Sequence, residues 1–285
     1  MAPKRSFVIQ RQISPLPRVD RDFLEARALR HYAAAQGSPL YERLMLPLLA
    51  RFGLSEDDAK CQFLRYNLGI NEETNETYRL LGTQFALLVN YLPPNTWFSR
   101  RLDRYAEFVS RFSNIVDVGF GIPFPWLLVA SRHRQIEGAF ALVDSSQSAL
   151  DFGAEFIHLV TRQYPKETES LGWSLRHGMI EHADQWGMGP MEAVLALDCV
   201  EHAARAAHAL QRMASVLSGA VFLIGLPVGT PIPQHTIDFD AEQDAIAFVS
   251  TAGLRVTSTH LVQTVWDGDV VGNPGFKGSI FIEAV

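Results

Sequence analysis

Apolar positions recur at three- and four-residue spacing from Arg21 to about Ser110, and the texture then changes to short apolar runs alternating with helical stretches. In the first region Phe23, Leu24, Ala28, Leu29 and Tyr32 share one helical stripe, as the 3.6-residue period requires. Ser38 and Pro39 break that stripe and open a helix over residues 40–52, which Gly53 can close in a left-handed conformation. Ser55 and the acids after it cap a third helix over 59–66, and two more are expected over 77–91 and 97–112, on either side of Pro93 and Pro94. The first 18 residues, with Lys4, Arg5, Arg11, Arg18 and three prolines, read as an irregular arm. Residues 1–110 are therefore expected to be an all-helical lobe.

Beyond Phe112 the pattern predicts strands at 115–118, 139–144, 174–181, 192–197, 220–227, 254–265 and 279–285. Helices are expected at 126–131, 148–164, 203–217 and 241–252. The uninterrupted apolar runs, such as Ile115 to Val118 and Ala193 to Leu197, suit strands buried on both faces. The last two strands have only a turn-rich connection, residues 267–278, so they must be antiparallel. The expected fold is α/β: a Rossmann-like seven-stranded sheet over 111–285, mostly parallel with an antiparallel C-terminal strand, plus the helical lobe.

The first strand runs into Asp117, Gly119 and Gly121 and then Pro123 and Pro125, which preset the first turn of a helix. Strand, glycine turn and helix is how an open α/β sheet builds a nucleotide site at its strand ends. A dinucleotide fingerprint would need a third glycine where Phe124 stands. Asp117 adds a negative charge that suits a cation, such as an ammonium or sulfonium, better than a pyrophosphate. A glycine turn serving only an α/β core is the plainer alternative. Asp144 ends the next strand about 20 residues beyond the glycines, where a carboxylate can accept from ribose hydroxyls; it can equally belong to the cap of the following helix. A second cluster, Asp198, Glu201 and His202, follows the strand ending at Leu197.

With these residues the chain resembles the class I S-adenosylmethionine-dependent methyltransferases. Asp117, Gly119 and Gly121 match that family's glycine motif, with Pro123 where its third glycine is usual, and the stretch from Glu192 to His202 resembles its fourth motif. The resemblance covers roughly residues 114–285. It implies S-adenosyl-L-methionine as cofactor, held by Asp117, Gly119, Gly121, Asp144, Ser145, Asp184 beside the adenine, and Asp198. It implies transfer of a methyl group to nitrogen or oxygen of a small molecule, with His202, Glu201 and Asp198 as the catalytic candidates. The rival expectation is a protein that keeps the fold and binds without methylating.

Two oxygens and an imidazole from Asp198, Glu201 and His202 also suit a hard or borderline divalent ion, with His235 and His260 as further ligands or bases. Packing and capping is the commoner use of such a Glu-His pair, so no metal is expected. The lobe is expected to cover the sulfonium end and shape the acceptor pocket. Tyr66, Tyr78, Tyr91, Trp97 and Phe98 read first as core and second as its lining. The acids between Glu72 and Glu76 read as a solvated turn.

At 285 residues the chain can bury a full core, and 47% hydrophobic with 20% charged residues is a globular balance. A net charge of −6 disfavours nucleic acid. Cys61 and Cys199, far apart in sequence, support neither a disulfide framework nor a cysteine zinc site. No apolar stretch is long enough to span a bilayer, so a cytoplasmic protein without membrane contact is expected, and a homodimer is compatible with it.

Overall fold

A computed structural model describes residues 21–67, 81–94, 96–229, 235–263 and 278–285. The expected N-terminal arm, the acidic turn at 72–76, Tyr78, the start of the fourth helix and most of the last connection lie outside these residues.

The helices of the first region are α1 (Arg21–Gln36), α2 (Leu46–Phe52), α3 (Glu56–Asn67), α4 (Leu81–Tyr91) and α5 (Trp97–Val109). A π-turn, Tyr41–Met45, leads into α2, so the expected 40–52 helix is one continuous path with a widened first turn. Gly53 ends α2 at φ +66°. Thr96 caps α5 by accepting from the Ser99 amide at 3.2 Å, which leaves Pro93 and Pro94 in the preceding turn.

The remainder alternates: β1 (Asn114–Val118), α6 (Phe124–Arg132), β2 (Gly138–Asp144), α7 (Gln147–Gln163), β3 (Leu171–His177), β4 (Ala193–Leu197), α8 (Ala206–Val216), β5 (Val221–Val228), α9 (Glu242–Thr251), β6 (Val256–Gln263) and β7 (Gly278–Ala284). The strands form one sheet in the order β3-β2-β1-β4-β5-β7-β6. All neighbours are parallel except those of β7, which runs antiparallel to both β5 and β6. This is the Rossmann-like seven-stranded architecture expected for class I methyltransferases.

Successive residues of each inner strand enter different cores, as the period of two dictates. Ile115, Phe140, Leu142, Leu195, Leu223 and Phe281 pack on one side with α6, α7 and the helices of the lobe. Val116, Val118, Val143, Ala196, Ile224 and Ile282 pack on the other with α8 and α9. Lobe and sheet thus share a single apolar cluster on the first face. Polar links cross the same seam: the Trp97 indole donates to the Val262 carbonyl at 2.9 Å, Arg100 to the Gln263 carbonyl at 3.2 Å, and Arg111 meets Glu283 at 3.0 Å.

One strand differs from expectation. The third begins at Leu171 and ends at His177, four residues before Glu181, where the sequence pattern placed its end. β3 is an edge strand with Trp173 exposed, so no strong apolar alternation marks its register. Among the described residues no helix is long and apolar enough to cross a membrane.

Candidate functional site

Chain connections leave β1 toward β2 and leave β4 toward β5, in opposite directions along the sheet. Between the carboxyl ends of β1 and β4 lies the switch point where open α/β sheets place ligands. Gly119 sits there at φ +63°, and a Cβ on it would stand 2.5 Å from the Cβ of Cys199 at the end of β4. Only glycine meets both demands. Its amide donates to the Val143 carbonyl at 2.7 Å, tying the turn to β2. Gly121 follows at φ +52°, with Leu87 of α4 3.2 Å from the position a Cβ would take.

Asp144 closes this turn from the tip of β2. Its carboxylate accepts from the Gly121 amide at 3.3 Å and from the Ser146 amide at 2.8 Å. Burial raises its pKa, and the amides of Ser146, Gly121 and Ser145 pull in the other direction. Ser146 itself caps α7 by accepting from Ala149. Ser145 is exposed beside Asp144, and its carbonyl lies 3.0 Å from His177 Nε2.

Asp117 is 1% exposed and accepts from the Tyr105 hydroxyl of α5 at 3.2 Å. Burial pushes its carboxyl up to about 8, against the opposing effect of that hydrogen bond. A cation brought beside it would restore the charged form. Across the switch point, Asp198 adopts φ +50° and forms an ion pair with Arg101 of α5. The buried Arg101 guanidinium also stacks 4.6 Å from the Trp97 ring. Ser279 Oγ lies 3.4 Å from the other Asp198 oxygen.

The 3₁₀ turn Val200–His202 turns Glu201 inward and leaves His202 half-buried. Glu201 is fully buried; burial, and next the charge of Asp198, lift its pKa well above the ordinary carboxylate range. The His202 ring meets the His235 ring edge-on, centroids 4.7 Å apart. The fold therefore brings Asp117, Gly119, Gly121, Asp144, Ser145, Asp198, Glu201 and His202 to one end of the sheet.

Asp184 stands elsewhere. It lies in the 3₁₀ turn Ile180–Gln185, exposed, in an ion pair with Arg212 of α8 at 2.8 Å, a contact that lowers its pKa. Because β3 ends early, the residues leaving its carboxyl end are Gly178, Met179 and Ile180, none of them acidic. Leu87, Arg101 and Tyr105 also reach the site unannounced by the sequence, whereas His235, expected as a further ligand or base, does meet His202. The first three lie on helices, where their spacing signals only an amphipathic face.

The cradle suits the nucleoside end of S-adenosylmethionine: two left-handed glycines let a ligand approach the backbone, and Asp144 offers a half-exposed carboxylate beside them.

The strand order and antiparallel β7 define an α/β protein with the class I methyltransferase sheet. No family model matches the chain, and no curated protein matches it. Among solved structures the chain is similar to the small RNA methyltransferase HEN1, at 17% identity and a TM-score of 0.49 over 65% of this chain and 25% of that one. It is also similar to the [4+2]-cyclase SpnF, at 13% identity and a TM-score of 0.48 over 80% and 92% of the two chains. A third is the N-methyltransferase NodS from Bradyrhizobium japonicum WM9 in complex with S-adenosyl-l-homocysteine, at 12% identity and a TM-score of 0.43 over 67% and 88%. The chain thus spans about a quarter of the length of the RNA methyltransferase.

Proposed function

We propose that the chain binds S-adenosyl-L-methionine at the β1–β4 switch point and methylates a nitrogen or oxygen of a small-molecule acceptor. The supporting observation is the glycine turn closed by Asp144, with Gly119 held against Cys199 at the strand ends. The bound cofactor supplies an electrophilic methyl group on a sulfonium. Transfer is an in-line displacement, so the chain's main task is positioning. Asp144 accepts from ribose hydroxyls, Gly119 and Gly121 let the backbone come close, and Asp117 faces the cationic end. His202, half-buried beside Asp198, takes a proton at an imidazole nitrogen where the acceptor must lose one. Net charge −6 supports an acceptor other than nucleic acid.

A binding protein without transferase activity is the second reading. It is favoured by α5, which supplies Asp198 with Arg101 and Asp117 with Tyr105, so that two carboxylates of the site already have partners.

Calorimetry with S-adenosylmethionine and S-adenosylhomocysteine tests the cofactor. Asp144→Ala is expected to weaken both by about 1.5–3 kcal/mol, roughly 10- to 150-fold. Absence of binding to the wild type refutes the proposal, and equal affinity in the variant removes Asp144 from the ribose. A thermal-shift screen of candidate acceptors with the cofactor present then separates transferase from binding protein.

A further inference from the structure

We propose that Glu201, His202 and His235 form a binding site for a single borderline divalent cation, of the zinc or manganese kind, at the exit of β4. One ligand atom from each of the three lies within 4.8 Å of the others. Neither carboxylate oxygen of Glu201 has a hydrogen-bond partner, although the residue is 0% exposed. A buried carboxylate left without donors is costly, and a metal ion removes that cost directly. Two imidazoles and one carboxylate are the donor set of zinc, manganese and iron(II) sites, and three protein ligands leave a position open.

The cluster is held in place before any ion arrives. Thr236 donates its amide to the Glu201 carbonyl at 2.7 Å, and its hydroxyl to the carbonyls of Glu201 at 2.9 Å and Ala203 at 2.6 Å. Those three bonds fasten the segment carrying His235 to the turn carrying the other two ligands. Asp238 Oδ1 lies 3.4 Å from His235 Nδ1, placing a carboxylate beside the imidazole as in many metal-binding histidines. With metal–ligand distances of about 2.0–2.2 Å, tetrahedral ligand atoms stand about 3.3–3.6 Å apart, so the three, now within 4.8 Å, close by at most roughly 1.5 Å, a shift that side-chain rotation supplies. Asp198, the acid that the sequence spacing grouped with Glu201 and His202, points instead to Arg101. The site is completed by a residue from beyond β5; it leaves the cofactor-binding residues untouched but makes His202 a ligand, in place of its role as a free base.

The test uses the full chain, stripped with a chelator and dialysed separately against Zn²⁺ and Mn²⁺. Wild-type protein is expected to retain about one equivalent of at least one ion by elemental analysis, and to melt at a higher temperature with it. His235→Ala is expected to weaken binding by about 100-fold or more and to lose the thermal shift, while His235→Asp, which keeps a ligand, recovers part of both. If the variants fail to fold, Co²⁺ added to wild type decides: imidazole ligation gives a visible absorption spectrum distinct from that of the aqueous ion. Less than a tenth of an equivalent of either ion in wild type, or undiminished binding in folded His235→Ala, or a Co²⁺ spectrum identical to the aqueous ion, overturns the proposal.

Discussion

The guanidinium of Arg101, on α5, pairs with the carboxylate of Asp198 at the end of β4, although 97 positions separate them. Their exposures are unequal: the Arg101 side chain is 6% accessible and that of Asp198 is 32%. Asp198→Ala strands a buried charge, whereas Arg101→Met leaves an acid that water can reach. The first is expected to destabilise by about 3–5 kcal/mol and the second by distinctly less, measured by urea denaturation. Equal losses would show that the pair gains nothing from burial.

Gly119 and Cys199 form the tightest backbone approach at the switch point. Gly119→Ala is expected to cost about 1–2 kcal/mol for the left-handed conformation and about 1–3 more for overpacking. Cys199→Gly in that background relieves only the second cost, and Cys199→Ala, which keeps its Cβ, relieves neither. A double-mutant cycle by chemical denaturation reads the coupling, and strictly additive losses would refute the contact.

Asp117 sets a pH dependence. Folded, its carboxyl holds a proton up to about pH 8; unfolded, it ionises near the ordinary aspartate value of 3.8. Between those values the native state binds more protons, so this group's contribution makes stability fall as pH rises. Glu201, raised in the same direction, adds the same sign. Asp117→Asn is expected to flatten the slope between about pH 5 and pH 7.5 in denaturation series. A slope unchanged by the substitution would assign it elsewhere.

Asp184 gives a negative control. Since it faces Arg212, Asp184→Ala is expected to leave S-adenosylmethionine affinity unchanged in calorimetry while Asp144→Ala lowers it. A comparable loss in both would return Asp184 to the adenine.

The features legible in sequence were those written within a few residues of one another. Gly119, Gly121 and the acids beside them occupy one strand and its turn, and Glu192 to His202 another, so local pattern sufficed. The antiparallel end of the sheet followed from a connection too turn-rich for a helix. What escaped was made by chain segments meeting at long range. Tyr105 and Arg101 read as ordinary positions on an amphipathic helix, and nothing near His235 announced that Thr236 would fasten it to the turn at Glu201. The register of β3 escaped for a different reason: an exposed edge strand has little apolar alternation to betray where it stops.

The seam joining Trp97 to Val262 has a consequence for synthesis. The partners are 165 positions apart, so at about 5–20 residues per second the ribosome delivers the second roughly 8–33 s after the first. Throughout that interval the nascent helices have their apolar face made but not its cover, which comes partly from the last strands. The early segment must therefore wait, collapsed and adhesive, for the late one, and its yield in a cell will depend on whatever shields it meanwhile.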